Sequence, residues 1–253
     1  MSLQADKKIT SKEAVKTIEQ YLLDLVFPKQ CGLCKKEGLF LCKECLGSID
    51  IKKLQNCPIC ESSVTETGRV CRSCRRFHPP LEKLLISADY KDALVKKLIH
   101  QFKYKFAAEL DAPLARIMIK ASFRHELELP DLIIPVPLHS LRLRFRGFNQ
   151  SELLAIQLAR NLVPGYEVEV NNSILKKVKN TAPQAGMKDK EKREGNISQA
   201  FEANLTVQSL IKNKRILLVD DVCTTGSTLF ECAKTLSPLK PKSISAIVIA
   251  RQG

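Results

Sequence analysis

Residues 214–229 read KRILLVDDVCTTGSTL. Ile216, Leu217, Leu218 and Val219 form a short apolar run, which suits a strand buried on both faces. Asp220 and Asp221 close that strand with two adjacent carboxylates. Thr224, Thr225, Gly226, Ser227 and Thr228 follow as a glycine turn with hydroxyls on either side, and from Leu229 to Leu236 the pattern is that of a helix. Strand, acidic pair, turn and helix together make an anion cradle. The first-turn N–H groups of a helix have no partner inside it, and a phosphate satisfies them. An ordinary strand-to-helix turn is the plainer alternative, but two like charges side by side repel and serve no packing purpose. Ribose hydroxyls or a divalent cation would use them. No GKS or GKT follows the glycine, so this is not a Walker A loop, and no GxGxxG dinucleotide loop is present.

The run VDDVCTTGST (219–228) resembles the phosphoribosyl-pyrophosphate (PRPP) signature of type I phosphoribosyltransferases. That resemblance implies that Asp220 and Asp221, the candidate catalytic pair, contact the ribose. It also implies that Thr224, Thr225, Gly226, Ser227 and Thr228 hold the 5′-phosphate, with Val222 and Cys223 completing the PRPP-binding stretch.

A chain of 253 residues accommodates one large domain, or one domain plus a small module. The formal net charge is +14, which favours phosphorylated or polyanionic partners on electrostatic grounds, a solvated basic surface being the plain alternative. The first ten residues are polar and no apolar run approaches a membrane span, so a soluble cytoplasmic protein is expected, without a transmembrane segment.

Ten cysteines occur, and eight of them precede residue 75 in C-x-x-C pairs. The pairs are Cys31/Cys34, Cys42/Cys45, Cys57/Cys60 and Cys71/Cys74. Eight thiolates make two tetrahedral four-cysteine sites, fully liganded and therefore structural. Zinc is the default ion, although sulfur ligation also permits iron. The segment has too few large apolar residues to fold on its own core, so metal would supply the folding energy. Short loops favour sequential pairing, as two zinc ribbons. Cross-braced pairing stays open.

Taken in order, residues 10–27 read as an amphipathic helix behind a capping box at Thr10 and Glu13, ended by Pro28. The double ribbon occupies 29–76 and a proline-bearing linker 77–83. The larger domain, 84–253, alternates apolar strands with helices, which predicts an α/β fold: a mostly parallel sheet with helices on both faces. Strands are expected at 84–90, 132–136, 216–219 and 244–250, with helices at 92–102 and 110–119. Arg75 and Arg76, just after the last ligand, suit a phosphate backbone. Lys103, Tyr104 and Lys105 form an aromatic-basic patch that could stack a base. Arg142, Arg144 and Arg146 lie beyond a strand end with no acidic residue among them, which suits pyrophosphate or a nucleic-acid backbone. An exposed edge strand is the alternative for residues 141–145. Asn149 is placed to cap the next helix. Residues 179–196, including Lys179, Lys188 and Arg193, are charged and poor in apolar matter. A mobile loop that closes over pyrophosphate is expected there.

Almost the whole chain resembles the ComF family, the competence-protein ComFC/GntX-like group. The resemblance rests on LLDLVFPKQCGLC (22–34), the paired cysteines, KLIHQFKY (97–104), IPVPLHSLRLRFRGFNQSELLA (134–155), TAPQAGM (181–187), KREGNISQAF (192–201) and VDDVCTTGST. It implies an N-terminal double zinc ribbon before a type I phosphoribosyltransferase-like domain. It further implies binding of PRPP with Mg²⁺ and a role in natural transformation, acting on single-stranded DNA alongside DNA-uptake machinery proteins. The pyrophosphate region would fall on Pro137, Leu138, Arg142, Arg144 and Arg146. One departure is Lys179, where family members often carry arginine: the charge is kept and bidentate geometry is lost. A nucleic-acid-binding protein with a vestigial or regulatory PRPP site is the rival to an enzyme, and a scaffold docking proteins through the ribbons is a weaker third reading.

Overall fold

The computed structural model describes residues 30–104, 108–181 and 199–252. The expected helix at 10–27, and Lys105, Lys188 and Arg193, lie outside the described residues. The chain divides into two compact units, Met1–Leu46 and Gly47–Gly253. The described part of the first unit is the first cysteine ribbon. The second unit holds the other ribbon and the α/β sheet.

Eight strands are described: β1 Gln55–Asn56, β2 Val64–Thr65, β3 Lys83–Asp89, β4 Leu132–Pro135, β5 Leu175–Lys177, β6 Phe201–Ala203, β7 Arg215–Cys223 and β8 Ser243–Arg251. The α-helices are α1 Lys43–Gly47, α2 Arg72–Arg75, α3 Ala93–Tyr104, α4 Asp111–Arg124, α5 Ser140–Arg146, α6 Gln150–Asn161, α7 Gln208–Ile211 and α8 Ser227–Leu236. The central sheet has the order β3-β8-β7-β4 and every pairing in it is parallel. β1 with β2, and β5 with β6, make small antiparallel ladders.

β7 and β8 sit in the middle of the sheet and are buried on both faces, as their continuous apolar runs require. Because side chains alternate along a strand, one set faces each way. Leu218, Ile134, Ala246 and Leu84 join Leu229, Cys232, Ala233 and Leu236 of α8 in one core. α4 packs against β3 and β8, and α6 against β4 and β7, so helices cover both faces. At the N-terminal end of the sheet, Asp131 fixes the entry to β7. It takes bonds from the Arg215 backbone N–H and guanidinium at 2.8–3.2 Å, and those bonds hold its carboxyl below the usual range.

The central strand is longer than the apolar run predicts. Apolar content thins out after Val219, yet β7 continues through both aspartates to Cys223 because β8 pairs with it as far as Arg251. Residues 141–145 form part of a helix and not an edge strand. His139 caps α5, and Gly147, at φ 80°, ends it. On a helix Arg142 and Arg146 share a face, while Arg144 falls elsewhere and is exposed.

β3 would be an exposed edge, open to pairing with another chain. The second ribbon covers it. Ile51 bridges Ala88, Arg69 bridges Lys83, and the Lys52 N–H donates to the Ser87 carbonyl at 3.0 Å. Gln55 completes the row with its side chain, donating to the Ile86 carbonyl and accepting from the Ile86 N–H, both at 3.0 Å. Gly68 permits the close approach: its φ is +73°, and a Cβ there would lie 2.4 Å from the Leu84 carbonyl oxygen. Residues 77–83, the expected linker, include a fully buried Leu81, and the Glu82 N–H bonds the Ile244 carbonyl at 2.9 Å.

His125 clasps this junction from α4's end. It is 2% exposed; its Nδ1 lies 2.6 Å from the Glu66 carbonyl and its Nε2 2.8 Å from the Lys52 carbonyl. Replacement by alanine leaves the Glu66 and Lys52 carbonyls, both part-buried, without that partner. The expected loss is about 2–4 kcal/mol, read as a lower urea midpoint at unchanged slope.

Candidate functional site

Asp220 and Asp221 stand near the C-terminal end of β7, and three other elements converge on them. The first is α6. Asn149 caps it, accepting from the Ser151 N–H at 3.2 Å and donating to the Val136 carbonyl at 3.1 Å. That cap locates Ser151, whose hydroxyl donates to Asp220 at 2.8 Å. The second is α3. Phe102 is fully buried, its ring 6.0 Å from that of Phe148, and its carbonyl accepts from Gln150 at 3.4 Å. These contacts aim Lys103, the next residue, so that its ammonium lies 3.2 Å from the Asp221 carboxylate. The third is β5, whose Lys177 ammonium stacks over Phe201 at 5.3 Å and feels the charges of Arg142 and Asp220.

Electrostatics follow from this crowding. Burial, and then the charge of Asp221, push the Asp220 carboxyl up to about 7; the Ser151 hydroxyl and the Asp221 N–H pull the other way. Burial, and then Arg142, hold the Lys177 ammonium below the usual lysine value. Cys223 and Cys232 are buried, and desolvation raises both thiols, that of Cys223 to about 12. Neither is a nucleophile at neutral pH.

The glycine turn follows. Gly226 has φ 79° and caps α8 without a side chain, so the first turn of that helix opens on the loop. The Thr225 and Ser227 hydroxyls lie 2.9 Å apart and hold the turn's shape. Beside β4 a cleft of about 400 Å³ is lined by Pro137, Leu138, Leu143, Asn149, Asn172 and Lys177. Of the three arginines beyond that strand, Arg142 donates to the Thr181 carbonyl at 2.5 Å and Arg146 to Gln150 at 3.0 Å. Lys179 is exposed. Arg75 and Arg76 are exposed on the second ribbon, and the Arg76 guanidinium lies 4.8 Å over the exposed Phe77 ring.

The structure thus gathers Asp220, Asp221, the 224–228 turn and Lys103 into one site, with Arg142 and Lys177 on its border. It leaves Arg75, Arg76 and Arg144 on open surface. Sequence reading missed Ser151 and Lys177. Ser151 follows the helix cap by two residues and Lys177 lies on a short strand, but only the tertiary fold brings either to the acidic pair.

The cysteines form two groups, Cys31/Cys34/Cys42/Cys45 and Cys57/Cys60/Cys71/Cys74, so pairing is sequential. Within each group the sulfurs all lie within 4.8 Å of one another. Individual Sγ–Sγ separations are 3.8 Å (Cys31–Cys42), 3.6 Å (Cys34–Cys42) and 3.9 Å (Cys60–Cys71). Four thiolates at about 2.3 Å from one ion lie about 3.8 Å apart, so both groups fit a tetrahedral zinc and are far too open for disulfides. All ten cysteines are free of disulfide bonds.

Comparison with known proteins agrees with this geometry. The phosphoribosyl transferase domain family matches residues 149–253, beginning at the cap of α6. Competence protein F of Haemophilus influenzae is 36% identical over 215 residues, spanning 83% of this chain and 90% of that protein. The DNA utilization protein YhgH of Escherichia coli K12 is 33% identical over 220 residues, 84% of this chain and 92% of that one. Competence protein ComFC of Bacillus subtilis is 28% identical over 209 residues, 77% of each. Among the described residues no helix is long and apolar enough to cross a membrane.

Proposed function

The chain belongs to the ComF family, with a phosphoribosyltransferase-like domain and two four-cysteine clusters, and from that premise we propose that it binds PRPP with Mg²⁺ and handles single-stranded DNA during DNA uptake. The observation that carries the PRPP reading is the acidic pair at the end of a central parallel strand, followed by a glycine turn that opens a helix. Ligands of α/β sheets bind outside the carboxyl ends of the strands.

Asp220 and Asp221 accept the ribose hydroxyls, and the 224–228 turn with the first turn of α8 holds the 5′-phosphate. Asp220 and Asp221 are the carboxylates that would hold Mg²⁺ brought in with PRPP, and the ion would supply charge neutralisation for the leaving pyrophosphate. Arg142 and Lys177 stand where the pyrophosphate departs and offset its charge. Pro137 and Leu138 line that path and Arg146 flanks it. Lys103 neutralises Asp221 until ligand arrives. Zinc in the two cysteine clusters is structural, since protein ligands fill every position.

The pH dependence of binding tests the role of Asp220. A carboxyl raised to about 7 keeps its proton below that pH and cannot accept two hydroxyls. Affinity for PRPP is therefore expected to climb roughly tenfold per unit up to about pH 7 and level off above it. Phosphates titrate near 6 themselves, so the comparison is with Asp220→Asn, which binds weakly and lacks the step near 7. Identical profiles for both proteins refute the assignment.

The second reading, a nucleic-acid binder with a regulatory PRPP site, draws on the formal charge of +14 and on the Arg76–Phe77 stack. Arginine and aromatic faces bind single strands without sequence readout. Labelled single-stranded DNA, followed by anisotropy between about 50 and 200 mM salt, is expected to bind with steep salt dependence, weakened by an Arg75→Ala/Arg76→Ala double substitution. Salt-insensitive or absent binding removes DNA from the proposal.

A further inference from the structure

Arg251 ends β8 and is paired in register with Cys223, the last residue of β7. Its Nε donates to the Thr224 carbonyl at 2.8 Å. Another of its nitrogens lies 2.7 Å from a Glu61 carboxylate oxygen. Thr224 opens the phosphate turn, and Glu61 is the residue directly after the ribbon cysteine Cys60. We propose that Arg251 is a positioning residue linking the two sites: metal in the second ribbon fixes Glu61, Glu61 fixes Arg251, and Arg251 sets the phosphate turn.

Each link has a physical reason. In a trans peptide the C=O and the following N–H point in opposite directions. A guanidinium that anchors the Thr224 carbonyl on the ribbon side therefore turns the Thr225 N–H the other way, toward the cradle. Next to it the Gln252 N–H binds the Cys223 carbonyl at 2.9 Å, so two successive carbonyls entering the turn are held by the end of β8. At the ribbon end, Glu61 adopts φ 59°, its N–H bonds the Cys57 carbonyl at 2.9 Å, and its own carbonyl accepts from Asn56 at 2.6 Å. That backbone is closed around the Cys57–Cys60 knuckle, half of the Cys57/Cys60/Cys71/Cys74 cluster, whose four thiolates a cation would hold together against their mutual repulsion. Leu84 gives a second contact along the same line, touching Gly68 of the ribbon on one side and approaching Gly226 of the turn on the other.

The link is reciprocal by thermodynamic necessity. If metal orders the turn for phosphate, phosphate in the turn must tighten the hold on metal. The proposal rests on the PRPP reading only for the identity of the ligand. Its test has an arm that needs no ligand.

That arm is amide exchange of residues 223–228 in the fully zinc-loaded chain, comparing wild type with Arg251→Gln, Glu61→Gln and the double variant. A cavity of about 200 Å³ beside Arg251, Glu61, Lys52 and Asn56 admits water in place of the shortened side chain, so these variants are expected to fold. Exchange in the turn should rise about tenfold or more in each single variant, with no further rise in the double. Exchange at residues 216–219 and 246–249 should not change, and two zinc ions per chain should remain by metal analysis. Arg251→Lys, which keeps the charge on a single nitrogen and cannot span both partners as the guanidinium does, should recover part of the protection. The second arm measures zinc transfer to a chelating dye: PRPP with Mg²⁺ slows it in wild type and not in Arg251→Gln. Unchanged turn exchange with both metals present overturns the link, whatever PRPP does. Should PRPP fail to bind wild type, the exchange arm still decides the link and the PRPP reading falls separately.

Discussion

Replacing both Asp220 and Asp221 by asparagine is expected to lower PRPP affinity by two to four orders of magnitude while raising the thermal stability of the empty protein. Each carboxylate that accepts a ribose hydroxyl makes a charge-assisted bond of about 1.5–3 kcal/mol, so losing two costs about 3–6 kcal/mol of binding. Stability moves oppositely. A carboxyl whose folded value is raised costs the fold increasingly as pH climbs from its unfolded value near 4 to about 7, and fully above that. At pH 8 the asparagine variant escapes that cost, on the order of a few kcal/mol, and near pH 4 it gains little. Lys103, beside Asp221, loses its partner and takes back part of the gain. Weak binding with a higher melting temperature at pH 8 marks a site built against its own stability. A variant that loses both binding and stability would show that the pair is structural.

Removing the second metal is the other large effect. A Cys57→Ser/Cys60→Ser double substitution is expected to lose one zinc per chain, melt at least about 10 °C lower and aggregate. Structural zinc contributes about 10–16 kcal/mol in small ribbon-like peptides, comparable with the whole stability of a typical domain. Here the ribbon also covers β3: Gln55, Lys52 and the residues around Gly68 satisfy its outer edge. Uncovering that edge offers a template for strand pairing between molecules. Zinc analysis, calorimetric melting and light scattering together measure this. One zinc lost with an unchanged melting temperature would mean that the ribbon folds without its ion.

The motif at residues 214–229 was legible because its chemistry is local. Apolar strand, acidic pair, glycine turn and helix are all specified by near neighbours in sequence, and so are the C-x-x-C pairs. Even there, the strand's true end at Cys223 depended on β8, whose Arg251 pairs with it from far along the chain. Residues 141–145 alternate like a strand but lie between a histidine cap and a left-handed glycine, and the caps decide the outcome. Lys103 read as part of a basic patch; a helix whose Phe102 is buried turns it onto Asp221. Ser151, Lys177 and Arg251 carried no local signal, because each acquires its role only through contact with residues distant in sequence. Gly68 and His125 are the residues whose surroundings weld ribbon to sheet, and neither belongs to a recognisable motif.

Titration calorimetry of zinc-loaded protein with PRPP and Mg²⁺, with and without single-stranded DNA, tests the central claim most directly. Micromolar binding at one site per chain, lost in the Asp220→Asn/Asp221→Asn protein, is the predicted result. Absence of PRPP binding, with salt-sensitive DNA binding intact, would contradict it and leave a basic zinc-ribbon DNA-handling protein on a transferase-like fold.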